Sequence, residues 1–222
     1  MIKAVLFDFD GTIANTVPAI REGVNNTMRI CGYPEHSYSD ILSFINHGAR
    51  ELIRQAMPAP DREDPAQVDR VLEVYNRQYG LVYDHTREAY PGIPELIGRL
   101  RRAGYRIGVL SNKQDAFVRQ LSRQVLPAGS CDAAHGVAPG QPPKPDPFLP
   151  TLLAGELGVS PCDCVMVGDS DVDILTAYNA GMQHIGVDWG YRDRAFLLAH
   201  GAARIAHTPE EVEAILSEWR KG

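Results

Sequence analysis

Short β-rich runs separated by helical patterns fill the chain from about Pro91 onward, and this alternation restricts the fold more than any other feature. Candidate strands are Ala4 to Phe7, Ile107 to Leu110, a weaker one over Cys131 to Val137, Val165 to Val167, His184 to Val187, and Arg204 to Ala206. Parallel strands need crossover connections, and helices supply them, so the expected core is a doubly wound, mostly parallel, Rossmann-like α/β sheet. The first candidate strand is cut off from the rest. Between it and Pro91, apolar residues at 17, 20, 24, 28 and 31 recur at helical spacing. The stretch 38–57 reads as two helices broken at Asn46-His47-Gly48, with Ser39 and Asp40 as cap candidates. After the proline-rich PAPDREDPAQ, a further helix is expected from Val68 to about Val82. The predicted organisation is an α/β core from residues 1–14 and 88–222, with a small all-helical insertion, 15–87, after the first strand.

In an open parallel sheet, ligands gather at the carboxyl ends of the strands. The first strand ends in LFDFDGT, where Asp8 and Asp10 stand two residues apart; in an extended segment they would project to the same side. The second ends in Ser111-Asn112 and the fourth in DSDVD, Asp169 to Asp173, while Lys144 lies in the proline-rich loop after the third. Each has an ordinary alternative: an Asp-Gly turn at Asp10-Gly11, or helix caps at Ser111 and Asp169. Their coincidence at one sheet edge favours a site. Asp8, Asp10 and Asp169 are hard oxygen donors of the kind that suit Mg²⁺. A hydroxyl, main-chain amides and an ammonium suit phosphate oxygens. The motifs G-x-x-x-x-G-K-[ST], G-x-S-x-G and H-E-x-x-H are missing, which removes the competing nucleotide-binding and hydrolytic signatures.

A net charge of −6 argues against a nucleic-acid groove, and Arg99, Arg101, Arg102 and Arg106 fall on one helix and its exit, where a solvated face explains them. No apolar run is long enough to span a bilayer, and MIKAVLF is interrupted by Asp8 before it could form a signal core, so a cytoplasmic location is expected. Four cysteines without C-x-x-C spacing and dispersed histidines point to free thiols and no zinc site.

In combination and order, DFDGT, LSNK, KPDP and VGDSDVD, followed by AGM and VDWGYRD, resemble the motifs of haloacid dehalogenase-like hydrolases, and most closely the phosphoglycolate phosphatase-like branch. The resemblance covers nearly the whole chain. It implies a Mg²⁺-dependent phosphomonoesterase acting on a small phosphate ester. Asp8 would be the nucleophile that forms an aspartyl-phosphate, and Asp10 the general acid/base. Gly11, Ser111, Asn112 and Lys144 would hold the phosphoryl group. Asp8, the Asp10 main-chain carbonyl and Asp169 would ligate the metal, with Asp173 supporting them. The insertion would correspond to the family's cap.

Rival chemistries within the resemblance turn on single positions. Asp10 disfavours a dehalogenase. A phosphonate hydrolase would use a cap lysine, and the lysines, Lys3, Lys113, Lys144 and Lys221, all lie outside 15–87. A β-phosphoglucomutase-like phosphosugar isomerase carries a histidine where this chain has Ile20. A non-catalytic phospho-aspartate switch shares the acidic pocket, but a helical insertion fits a lid better than a switch surface. Two departures bear on specificity: Asn15-Thr16 replaces the more usual Asp-Ser, and Asn46 stands where such caps commonly have glycine. Asn46, His47 and Arg50 are therefore expected to help choose the leaving group, with Arg50 a partner for a carboxylate. The expected partner is a small-molecule phosphate ester, with no nucleic acid or membrane, on a monomer or homodimer.

Overall fold

The computed structural model describes residues 1–221. The chain forms two compact units, Met1–Asn15 with Glu88–Gly222, and Thr16–Arg87. In chain order, β1 (Ala4–Asp8) precedes four helices of the second unit, α1 (Val17–Cys31), α2 (Tyr38–Phe44), α3 (Ala49–Ala56) and α4 (Pro65–Tyr79). The first unit then continues with α5 (Ile93–Arg102), β2 (Arg106–Gln114), α6 (Asp115–Val125), β3 (Ala133–Val137), α7 (Phe148–Glu156) and β4 (Cys164–Gly168). It ends with α8 (Asp171–Ala180), β5 (Gln183–Val187), α9 (Arg194–Ala199), β6 (Ile205–Ala206) and α10 (Pro209–Lys221).

The strands form one six-stranded sheet of order β3-β2-β1-β4-β5-β6, and every neighbouring pair is parallel. Strands at the centre of such a sheet are covered on both faces, so they read as continuous apolar runs rather than alternating ones. AVLFD of β1 and CVMVG of β4 are buried at every residue. On one face Leu6, Leu110 and Met166 pack with Leu149 and Leu153 of α7 and Ala177 of α8. Each such leucine contributes about 1.5–3 kcal/mol through burial. Helix α5 buries Ile93, Leu96, Ile97 and Leu100, the i, i+3, i+4, i+7 stripe of a helix lying on a core. Its basic end is engaged by acids, Arg99 with Glu213 at 2.6 Å and Arg101 with Asp132 at 2.7 Å.

Most strand limits differ from the sequence expectation by one residue, and β2 and β3 by more. β3 starts at Ala133, not Cys131. β2 does not stop at Leu110 but continues through Ser111, Asn112 and Lys113 to Gln114, which pairs with Val137 after a register shift. The irregularity lets the strand stay paired while its end turns toward the site.

In the helical unit, Val17, Ile20, Val24 and Met28 are buried along α1, which ends at Gly32 in the left-handed conformation. Cys31, expected on the same face, is only half-buried. The cap of α2 is Ser37, with Asp40 closing a capping box from N3, so neither Ser39 nor Asp40 is itself the cap residue. Tyr75 and Tyr79 stack on α4 with ring centroids 5.6 Å apart. Among the described residues, no helix is long and apolar enough to cross a membrane.

Candidate active site

Asp8 is the last residue of β1, and the chain turns sharply after it. The Phe9 N–H donates to Asp8 Oδ1 at 2.7 Å. Ile13 and Ala14 N–H donate to the Phe9 carbonyl at 3.0 and 3.1 Å, and Gly11 N–H donates to the Ala14 carbonyl at 2.9 Å. The turn needs φ +81° at Gly11, and a Cβ there would lie 2.4 Å from Asp169 Oδ2. Only glycine meets both demands. Because the strand ends at Asp8, the i, i+2 alternation does not reach Asp10, and the two carboxylates take different partners.

Asp8 belongs to a buried charge cluster. Lys144 Nζ sits 2.9 Å from Asp8 Oδ1 and 2.7 Å from Asp173 Oδ1, and these side chains are 3%, 7% and 0% exposed. The other oxygen of Asp173 accepts from the Ser170 N–H at 3.1 Å and the Ser170 hydroxyl at 2.6 Å. Those contacts belong to the capping box that starts α8, so Ser170 rather than Asp169 caps this helix. Asp169 accepts from the Thr12 hydroxyl at 2.9 Å and from the Tyr191 N–H at 2.8 Å. One ammonium thus faces three enclosed carboxylates. Burial, reinforced by the charge of Asp173, pushes the Asp169 carboxyl up to about 7. Burial and Asp173 likewise raise Asp8 well above the usual carboxylate range, against the opposing pull of Lys144. Burial works against the Lys144 ammonium, but Asp173 and Asp8 outweigh it and keep the amine charged.

Asp10 has its own pair of partners on β2. Ser111 Oγ donates to Asp10 Oδ2 at 2.8 Å, and Lys113 Nζ stands 3.1 Å from Asp10 Oδ1. Ser111 and Lys113 share a side of the strand because they are two residues apart. Asn112 faces elsewhere: its Nδ2 donates to the Lys144 carbonyl at 3.0 Å, and the Lys144 N–H donates to its Oδ1 at 2.6 Å. Both ends of that carboxamide brace the Lys144 loop.

The β5–α9 loop closes over the turn. The Trp189 indole N–H donates to the Thr12 carbonyl at 3.1 Å. Gly190 passes so close that a Cβ there would lie 2.4 Å from the Gly11 carbonyl oxygen and 2.5 Å from Asp169 Cβ.

Of the residues singled out in the sequence, the structure gathers Asp8, Lys144, Asp169 and Asp173 in one cluster, sets Gly11 against Asp169, and pairs Asp10 with Ser111. Lys113, Thr12 and the Trp189–Tyr191 segment lie within the motifs LSNK, DFDGT and VDWGYRD, but the sequence assigns them no individual role. For Lys113 the signal was available, since strand alternation from Ser111 places it on the same side. Asn46, His47 and Arg50 belong to the helical unit. Asn46 adopts φ +87°, the left-handed region where glycine is usual and asparagine is tolerated better than other residues. Arg50 Nε donates to Asp69 Oδ1 at 2.9 Å and its NH2 to the Pro65 carbonyl at 3.4 Å, so its guanidinium is engaged within the unit.

Oxygens of Asp8, Asp169 and Asp173 all lie within 4.8 Å of one another. Three buried acids against one ammonium leave surplus negative charge, and the donors are hard oxygens. A small divalent cation fits that set and would lower the cost of ionising Asp8 and Asp169.

Residues 5–187 match the sequence profile of the haloacid dehalogenase-like hydrolases. A phosphoglycolate phosphatase from Mesorhizobium japonicum is 31% identical over 204 residues, covering 91% of this chain and 90% of the relative. Among solved structures, a candidate phosphoglycolate phosphatase from Lactobacillus delbrueckii subsp. bulgaricus is 33% identical, with a TM-score of 0.85 and coverage of 95% and 96%. CbbY from Rhodobacter sphaeroides, solved in complex with phosphate, is 26% identical, with a TM-score of 0.75 and coverage of 96% of each chain.

Proposed function

The chain belongs to the haloacid dehalogenase-like hydrolases, in the phosphoglycolate phosphatase-like branch, as a phosphoric monoester hydrolase, and we propose that it hydrolyses a small phosphorylated metabolite of the 2-phosphoglycolate type through an aspartyl-phosphate on Asp8. The observation that carries this reading is the division of labour at the strand ends. Asp8 sits beside a buried ammonium that can take phosphate oxygens, while Asp10 is held apart with Ser111 and Lys113.

A carboxylate oxygen of Asp8 attacks phosphorus, the bond to the leaving oxygen breaks, and Asp10 gives that oxygen its proton. Asp10 then takes a proton from water, whose oxygen attacks the same phosphorus and releases Asp8 with inorganic phosphate. Lys144 and the Ser111 hydroxyl orient the phosphoryl oxygens, and Asp173 and Asn112 fix Lys144 from its other sides. Asp8, Asp169 and the Asp10 main-chain carbonyl would hold Mg²⁺, which when bound offsets the charge of the transferring phosphoryl group. In this reading the helical unit Thr16–Arg87 corresponds to the family's cap, and its residues Asn46, His47 and Arg50 are the candidates for substrate choice. The phosphoglycolate phosphatase relatives support the substrate class, and the phosphate in CbbY supports phosphoryl binding by this type of pocket.

A panel of 2-phosphoglycolate, sugar phosphates, nucleotides and pyrophosphate, read as phosphate release with Mg²⁺ and with EDTA, tests the reading. Metal-dependent turnover with a preference for 2-phosphoglycolate, abolished in Asp8→Asn, is expected. Wild-type turnover by Asp8→Asn, or full activity in metal-free buffer, would overturn it.

A further inference from the structure

The Lys113 ammonium has no part in the mechanism as described, yet its side chain is only 8% exposed and reaches Asp10, itself 17% exposed. Replacing an enclosed ion pair with apolar side chains of similar volume is often neutral or stabilising, so the pair is poorly explained as a stability device. Its geometry offers another role. The two Asp10 oxygens are divided between two donors, Oδ2 taking the Ser111 hydroxyl at 2.8 Å and Oδ1 facing Lys113 Nζ at 3.1 Å. A serine has one proton to donate. If a phosphoryl oxygen takes it, as the proposed mechanism requires, Ser111 releases Asp10 at the moment its carboxyl must be aimed at the leaving oxygen. Lys113 has three donors, and its main-chain N–H already donates to Ser111 Oγ at 3.1 Å, which ties the two side chains to one rigid stretch of β2.

We propose that Lys113 is the positioning residue for the acid/base: it keeps the Asp10 carboxyl directed at the leaving oxygen once substrate has drawn the Ser111 hydroxyl away. The proposal rests on the reading of Asp10 as the group that protonates that oxygen. A side chain acting this way matters in proportion to how much the leaving group needs a proton. An alkoxide needs one, whereas a nitrophenolate leaves without help.

The test compares Lys113→Met with Asp10→Asn on sn-glycerol 3-phosphate, p-nitrophenyl phosphate and 2-phosphoglycolate, reading kcat/KM, which covers only the steps through phosphoryl transfer to Asp8. Lys113→Met is expected to lose about 10- to 100-fold on glycerol phosphate and under about threefold on the nitrophenyl ester, with Lys113→Arg recovering most of the loss. Lys113→Gln, which keeps a hydrogen-bonding side chain beside Asp10, carries the same comparison if the Met variant does not fold. Equal losses on the alkyl and aryl esters would overturn the proposal. So would a loss confined to 2-phosphoglycolate, which would make Lys113 a partner of the substrate carboxylate. If Asp10→Asn itself loses equally on both esters, the acid role of Asp10 fails and the proposal falls with it. If only the Asp10 variant distinguishes them, that role stands and the proposal alone is refuted.

Discussion

His184 on β5 stands in register with Met166 of β4, on the sheet face covered by α7 and α8. Neither of its ring nitrogens has a hydrogen-bond partner, and both are shielded from solvent. Burial holds the imidazole down at about 4, with the charge of Asp173 offsetting only part of that effect. The ordinary value is 6.5, so between 6.5 and about 4 the unfolded chain binds a proton that the folded protein refuses. Stability from this side chain is therefore fully present above pH 6.5 and lost as pH falls toward 4. The full difference corresponds to about 3 kcal/mol, and at about pH 4.5 some 2.5 kcal/mol of it is expressed. His184→Phe keeps a planar ring and removes the titration. Urea unfolding of both proteins from about pH 7.5 to about pH 4.5 should show the variant gaining roughly 2–3 kcal/mol relative to wild type as the solution is acidified. Stability curves that stay parallel over the whole window would refute the reasoning, because they would mean that His184 titrates normally in the folded protein.

Lys144→Met leaves Asp8 and Asp173 buried without their shared cation, and should cost about 3–5 kcal/mol in metal-free buffer by chemical denaturation; a loss below about 1 kcal/mol would show that the carboxylates are neutral or paired elsewhere. Gly190→Ala drives a methyl group against the Gly11 carbonyl and Asp169, neither of which can swing aside, so a loss of about 1–3 kcal/mol with weakened Mg²⁺ binding by calorimetry is expected. Unchanged metal affinity would place the loop outside the site's support. Arg50→Ala removes an exposed pair with Asp69 and a long hydrogen bond to the Pro65 carbonyl, and should shift stability by less than about 0.5 kcal/mol. His47→Ala and Arg50→Ala should alter relative rates across the phosphate-ester panel, and profiles unchanged in both would remove these residues from specificity.

What the sequence revealed of this site depends on which physical rule each residue obeys. Asp8, Ser111, Lys144 and Asp169 were legible because parallel α/β sheets put strand ends on one edge, a rule that needs only the order of strands. The parallel sheet was legible for the same reason, since buried apolar runs such as AVLF and CVMV have few other uses. The divergence of Asp8 and Asp10 was not, because alternation predicts side-chain direction only while a segment stays extended, and β1 stops at Asp8. Lys113 follows from alternation after Ser111 only if the strand runs on past Leu110, and that extension comes with a register shift that composition does not encode. Ser37 and Ser170 show the same difficulty at helix starts, where several adjacent Ser and Asp residues are plausible caps and only main-chain geometry selects one. The engagement of Arg50 by Asp69 joins two helices, and helical periodicity says nothing about pairs of that kind.

The closure of the Trp189–Tyr191 loop over residues 11 and 12 has a consequence for the order in which the molecule can be made. Thr12 reaches Asp169 across 157 positions and Trp189 across 177. Contacts so distant along the chain are the last to be satisfied by a polypeptide emerging from the ribosome, and they close at a high entropic cost. The aspartates synthesised first must therefore wait for β5 and the residues after it before their turn is fixed. A nascent chain stopped ahead of Trp189 would carry Asp8, Lys144 and most of the sheet, yet would lack the segment that holds the acidic turn in place.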